Sequence, residues 1–354
     1  MSRRLLVLGG AATASLALAS SAPGKTQLLV TAAAELGASA TTVVHIRGET
    51  TDAAPSRVTI YLPSGYVANL GQTAGTQIGT VAASAQRLML SPDAVDVVGT
   101  IVTNAPANYT DGFCAPGLHA AVWLLHLNVQ GTTVDVPVYV DRTTGNEAPF
   151  SSAKLVLCLA NPYEQAVPNT RAPTGLRLVD TKLTLSAGMV TNPTSAGSFV
   201  WRALVTPWTA NGSAENAPGT IEAQSIVNIP SSLKLNAKVQ TTRHTKAGRT
   251  RVANSVLLSG KLLEDLKGVA GARITFFADG KTAGAAATEL SGAFSSKKSL
   301  TRTTTLRATA TVPAREAACV SPLSVAAAPA GCVAATIAGY KVGSNTVTAR
   351  PRRR

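Results

Sequence analysis

Residues 119–141, HAAVWLLHLNVQGTTVDVPVYVD, alternate apolar and polar side chains on both sides of Gln130-Gly131-Thr132. In the first arm Trp123, Leu125, Leu127 and Val129 share one face, and His126, Asn128 and Gln130 share the other. In the second arm Val134, Val136, Val138 and Val140 oppose Asp135, Tyr139 and Asp141. A period of two sends successive side chains to opposite sides of an extended chain, so the pattern specifies a half-buried antiparallel hairpin. Its apolar face has to be covered by a second layer, which the rest of the chain must supply.

The same period recurs over 41–48, 56–63, 78–85, 95–102, 153–160, 176–185, 199–208 and 221–229, with Pro, Gly and Asn clusters between the runs. Within 176–185 the apolar phase slips from even to odd near Val179-Asp180, which predicts a bulge. Ser91-Pro92-Asp93 fits one helical turn, with Ser at the cap and Pro first. Only 14% of residues are charged and 4% aromatic, against 45% hydrophobic. That balance suits sandwiches with Val, Leu and Ala inside and Thr and Ser outside, and it excludes a disordered chain. With 354 residues there is room for two domains. The expectation is an all-β chain of two Greek-key β-sandwiches in tandem.

Pro230-Ser231-Ser232 marks the expected boundary. Residues 1–40 read as export signal and linker, 41–230 as the first sandwich, 231–350 as the second and 351–354 as a basic tail. Past the boundary Leu233, Leu235, Ala237 and Val239 alternate with Lys234, Asn236, Lys238 and Gln240. Residues 244–251 read as a basic, glycine-containing loop, and 256–263 and 272–278 as strands. Asp279-Gly280 predicts a two-residue hairpin turn, because a type I′ turn needs positive φ at both central positions. Over 300–312 Leu306, Ala308, Ala310 and Val312 point inward, and a last strand is expected near Thr346-Val347-Thr348.

Charge separates the two halves. Residues 231–354 hold 20 Lys and Arg against 5 Asp and Glu, while 41–230 hold 9 against 12, within a total of +14. A basic module beside a near-neutral one points to an anionic surface, and the expected contacts are Lys297, Lys298, Arg302, Arg307, Arg352 and Arg353. The plainer reading is that these charges keep a Thr-rich sandwich soluble. Nucleic acid is not expected as a partner, because export and the lack of aromatic residues among the cations argue against it.

Arg3 and Arg4 before an apolar run over 5–19 form an export signal, with Ala17-Leu18-Ala19 or Ala38-Ser39-Ala40 as cleavage sites. Ser2-Arg3-Arg4 with Leu5-Leu6 leaves a twin-arginine route open beside ordinary secretion. The run is shorter than the about 20 apolar residues that span a bilayer, so no transmembrane segment is expected in the mature chain. A secreted location, with attachment to the cell wall as an option, follows. Four cysteines suit an oxidising compartment, and of three pairings Cys114–Cys158 with Cys319–Cys332 keeps one bridge in each sandwich. Free buried thiols are the alternative; no pair has zinc-site spacing.

Residues 19–26, ASSAPGKT, fit the loose pattern of a phosphate-binding loop, but such a loop works at a helix N-terminus within an α/β sheet. His119 and His126 are an odd number of residues apart on one strand, so they are expected on opposite faces and unable to share a metal. His45 is free to approach either of them in space, and the expected role of each of the four histidines, His244 included, is a surface or core-edge side chain. Gly331-Cys332-Val333 lacks the preceding Ser-His of cell-wall transpeptidases, and no G-x-S-x-G occurs. Asp135 and Asp141 share a face but lie about 20 Å apart along a strand, too far for paired-carboxylate glycoside chemistry. Asp93 and Asp96 read as turn residues. Trp123 is expected to pack near Cys114 in the core, whereas Tyr139 and Trp208 offer an aromatic platform for sugar or peptide. No catalytic residue, cofactor or metal is expected.

One resemblance follows from residues 233–350. Ser259-Gly260-Lys261, Gly271-Ala272 before a strand, and Thr288 with Ser291-Gly292-Ala293-Phe294 make this part similar to bacterial Ig-like and carboxypeptidase-regulatory-like β-sandwiches. Such modules are spacers, stabilisers or adhesive units of exported proteins. Together with the first half, the chain resembles secreted proteins of high-GC bacteria with no assigned active site. The resulting expectation is a non-enzymatic, envelope-associated binding or structural protein, tethered by its second sandwich to anionic wall polymers or lipid head groups. The competing class is an enzyme acting on wall polysaccharide or peptide, or the carbohydrate-binding accessory of one. A third is a structural subunit assembling through an exposed edge at the strand that contains Pro137.

Overall fold

The structure, a computed structural model, describes residues 26–86, 93–129, 131–163, 177–320 and 333–352. No α-helix occurs among them, and three single-turn 3-10 helices interrupt an otherwise all-β chain. The first strands are β1 (Gln27–Thr31), β2 (Thr42–Arg47), β3 (Pro55–Pro63), β4 (Val67–Ala68), β5 (Gln77–Gln86), β6 (Ala94–Asn104), β7 (Asp111–Gly112) and β8 (Ala115–Pro116). They continue with β9 (Ala121–Val129), β10 (Thr132–Arg142), β11 (Ser151–Cys158), β12 (Arg177–Leu185), β13 (Val190–Thr191), β14 (Gly197–Pro207) and β15 (Ile221–Ile229). Then come β16 (Ser231–Lys246), β17 (Arg249–Glu264), β18 (Lys267–Gly268), β19 (Arg273–Ala278), β20 (Lys281–Ala287) and β21 (Ala293–Ser299). The last are β22 (Thr304–Val312), β23 (Arg315–Val320), β24 (Val333–Ile337), β25 (Tyr340–Gly343) and β26 (Val347–Ala349).

The first body is one sheet in the order β1-β2-β12-β5-β6-β9-β10-β11-β3-β14-β15-β24-β23. It folds over on itself until β1 meets β15 and β24. Side chains rather than a ladder make that closure: Val30 N–H donates to Ser225 Oγ at 3.0 Å, and Thr336 Oγ1 donates to the Leu28 carbonyl at 2.6 Å. The enclosed core holds Leu28, Ile60, Trp123, Leu125, Val138, Val140 and Trp201. The central hairpin therefore buries the face its alternation assigned, in the register Thr132–Val129 through Val140–Ala121. The phase slip in β12 is a register shift between Leu178 and Asp180 against β5.

The second body packs a four-stranded sheet, β16-β17-β18 with β21 on β17, against a five-stranded one, β20-β19-β22-β25 with β26 on β22. Leu235, Leu258, Ile274, Phe276, Ala308 and Ala310 fill the space between. Asp279 and Gly280 have φ of 50° and 80°, the positive values the expected turn requires.

Several expectations need correction. The supposed linker before residue 40 contains β1, which pairs with β2 and buries Leu28 and Val30. Gln27 onward is thus a strand rather than a helix, so the Gly-Lys-Thr sequence lacks the setting of a phosphate loop. Cleavage after Ala38-Ser39-Ala40 would remove that buried strand. The span 231–350 is not one body either, because β24 pairs in parallel with β15, and β23 pairs with β24. Arg315–Val320 and Val333–Ile337 thus belong to the first sheet, and the chain passes between the bodies three times. The strand with Pro137 is not an edge strand as a whole, because β10 lies between β9 and β11, but Thr132–Pro137 run past the last β10–β11 pair, Val138–Leu157, and have ladder partners on β9 alone.

Buried Glu264 joins the two bodies. Its carboxylate accepts both hydrogen bonds from Arg315 Nη2 at 3.0 Å, one from Asn228 Nδ2 at 2.6 Å and one from Tyr340 Oη at 3.2 Å. Burial, and then the Glu264 charge, push the Tyr340 hydroxyl pKa up, so it stays a donor. No helix among the described residues is long and apolar enough to cross a membrane.

Candidate functional site

β16 and β17 run side by side for 16 residues each, from the pair Ser231–Glu264 to the pair Lys246–Arg249. Ala247 and Gly248, with φ of 51° and 72°, close the end in a tight turn. The root of this ribbon belongs to the sandwich, where Leu233, Leu235, Val256 and Leu258 are buried. Beyond Gln240 the only apolar side chains paired across it are Ala253, opposite Thr242, and half-buried Val252, opposite Arg243, and residues 241–251 are all exposed. The segment expected as a basic loop is therefore the tip of a two-stranded arm, standing about 20 Å clear of the sandwich at 3.3 Å per residue.

Directly opposed residues of an antiparallel pair share a face. The outer face of the four-stranded sheet therefore carries Lys234 with Lys261, then Lys238, Leu257 and Lys297 in one row, then His244 with Arg251, then Lys246 with Arg249. All seven Lys and Arg side chains are exposed. The only carboxylate on β16, β17 or β21 is Glu264, which points into the seam. The ion pairs of this body among the described residues are Lys267–Asp265, Arg302–Asp279 and Arg315–Glu264, and none uses a cation of that face. A strip about 40 Å long, at strand rise over the twelve residues from Lys234 to Lys246, thus carries cations at its root and its tip, with the uncharged rows Gln240–Ser255 and Thr242–Ala253 between them and no carboxylate.

Of the six expected contacts, only Lys297 lies on this strip. Lys298 has the opposite parity and reaches over Gly284 of β20, where an added Cβ would meet its Nζ at 2.4 Å. Arg302 pairs with Asp279 at 3.1 Å. Arg307 sits opposite Phe277 on the outer face of the other sheet, where Arg273 and Lys341 are the only companions among the described cations of β19, β22 and β25. The Arg352 carbonyl accepts from Asn254 Nδ2 at 3.1 Å, which holds the tail beside the root of the arm. Arg353 lies outside the described residues. Sequence reasoning missed Lys234, Lys238, Lys261 and the arm; the signal was the strict alternation of lysines with buried leucines.

In the first body the cysteine pairing Cys114–Cys158 is present, with Cα atoms 5.7 Å apart. The Cys319 side chain and Cys332 lie outside the described residues, as do the export signal and Ser91-Pro92. The disulfide packs with Val122, Leu124, Tyr139 and Val156 on the outside of the sheet, whereas Trp123 faces the main core. Trp and disulfide are on opposite faces because Cys158 and Trp123 differ in strand parity.

The histidines also differ from expectation. β9 begins at Ala121, so His119 lies outside the strand and escapes its parity. It meets Asp141 at 2.9 Å, and His126 meets Asp135 at 2.5 Å, so both sit on the outer face of β10. His45 meets Asp180 at 2.7 Å. Among the described residues no group of three His, Cys, Asp or Glu is placed to hold a metal. Tyr139 is buried and offers no platform; burial pushes its hydroxyl pKa up. Trp208 instead stacks on exposed Phe113, with ring centres 5.6 Å apart.

No family model, curated protein or solved structure matches the chain.

Proposed function

We propose that this is an exported, non-enzymatic binding protein of the cell envelope, whose second sandwich holds an anionic polymer along the β16-β17-β21 face. The supporting observation is the strip of seven exposed Lys and Arg side chains with no carboxylate among them. A like-charged row repels itself and is relieved when a polyanion lies along it. The strip is long and two to three strands wide, which suits an extended phosphodiester chain of the wall. Its tip, Ala247-Gly248, has no apolar wedge for entering lipid, so head groups are the weaker fit. No aromatic side chain points out of these three strands, which leaves nothing to stack on single-stranded nucleic acid.

Sedimentation of the full chain with poly(glycerol phosphate), with anionic vesicles and with duplex DNA over a salt series tests the reading. Tightest binding to the wall-type polymer, weakening steeply as salt screens the contact, is expected. Binding indifferent to salt, or tighter to DNA or vesicles than to the polymer, overturns it.

A further inference from the structure

The outside of the first body carries a groove of about 650 Å³, within the usual range of small-ligand sites. Its floor is formed by three cross-strand rows. Asp141, Lys154 and Tyr61 make one; Val156, Thr59 and Leu204 the next; Arg57 and Thr206 the third. A strip of aliphatic carbon thus lies between two polar rows. One wall is the Cys114–Pro116 segment, fixed by the disulfide to β11, and the other is the turn at Ala217-Pro218.

Each charged side chain lining this groove has a polar partner in place. Lys154 meets Glu147 at 2.8 Å, Arg57 meets Glu215 at 3.4 Å and His119 meets Asp141 at 2.9 Å. Tyr61 Oη donates to Glu147 at 2.8 Å, and burial followed by that carboxylate raises its pKa, so it remains protonated. An ionic ligand finds no unpaired partner here. The paired groups nonetheless keep capacity: a carboxylate has about four lone-pair sites and a guanidinium five N–H donors. They are also held rigidly, His119 by a second contact from Nε2 to the Ala115 carbonyl at 3.0 Å. Fixed planar donors and acceptors on both sides of an aliphatic strip complement a ring with hydroxyls at its rim and C–H bonds on its face. Phe113, one residue before Cys114, and Trp208, two residues after Thr206, are not among the lining residues but stack on each other, and exposed Phe113 offers an aromatic surface of the kind sugars lie against.

We propose that this groove is a second binding site, for a short uncharged oligosaccharide. It is independent of the polyanion strip, which lies on the other body. The test is titration calorimetry of the full chain with chitotriose, cellotriose and maltotriose, with trigalacturonate as the charged contrast. At least one neutral trisaccharide is expected to bind in the micromolar to millimolar range, with trigalacturonate on the order of tenfold weaker or worse. Leu204→Trp, which fills the floor, and Phe113→Ala, at an exposed position, are expected to lose on the order of tenfold while sedimenting with poly(glycerol phosphate) like the parent. Failure of all three neutral sugars to bind overturns the proposal. So does preferred binding of trigalacturonate, or undiminished binding by both variants with unchanged thermal melting.

Discussion

The two bodies are built from the same alternating strands and treat charge in opposite ways. In the first, many charged side chains on the outer face have a partner: Arg57 with Glu215, Lys154 with Glu147, Arg202 with Glu222, and Asp180, Asp141 and Asp135 each with a histidine ring. In the second, seven cations share a face without one carboxylate. Exposed ion pairs contribute little to stability, so the pairing does not explain why the first body folds; both bodies rest on their apolar cores. What differs is availability. A partnered face presents fixed hydrogen-bonding groups, and an unpaired one presents a field.

Stability changes should therefore follow the cores and cross-links, and binding should follow the faces. The largest loss is expected from Trp201→Ala in the first core, about 4 kcal/mol by chemical denaturation, with Phe276→Ala in the second close behind. Removing the Cys114–Cys158 bridge with paired serines, which opens a sequence separation of 44, should cost about 4 kcal/mol by loop entropy. A loss well under 1 kcal/mol would show that the outer cluster is not part of the stabilised structure.

Glu264→Ala is expected to cost about 3 kcal/mol, since it leaves Arg315 without its partner at the seam. Because the chain crosses three times between the bodies, the parent should melt in one calorimetric transition and this variant in two. Two transitions in the parent would make the bodies independent. Alkaline pH should act next. Burial raises the Tyr61, Tyr66 and Tyr340 hydroxyls above the ordinary value near 10, so the folded state holds these protons more tightly. Their contribution is intact below about pH 10 and is lost as pH climbs through the folded values, so melting temperature should fall there, with tyrosinate absorbance rising at unfolding.

Much of the fold was legible because it depends on period. The apolar faces of β9 and β10, the β12 bulge, the Asp279-Gly280 turn and the inward set Leu306, Ala308, Ala310 and Val312 all follow from local alternation. The arm was not legible, since residues 241–251 have no buried face to reveal a strand and Ala247-Gly248 is a weak turn sequence. The return of β23 and β24 to the first sheet is set by which edge is free, a non-local fact. The strip likewise depends on register: Lys238 and Lys297 are far apart in sequence and meet only through Leu257. The opposed placement of Lys297 and Arg307 follows from their lying on different sheets.

The smallest stability effect and a large binding effect should come from the same change. Replacing Lys234, Lys238, Lys261 and Lys297 with Gln should leave melting within about 0.5 kcal/mol of the parent. Its matched control replaces Arg273, Lys281, Arg307 and Lys341, which are equally exposed and lie on the other sheet, so net charge falls equally. Measured by titration with poly(glycerol phosphate) at fixed salt, the first variant is expected to lose on the order of a hundredfold in affinity and the control only a few-fold. Equal losses in the two would mean that binding follows total charge and that the strip has no special part in it.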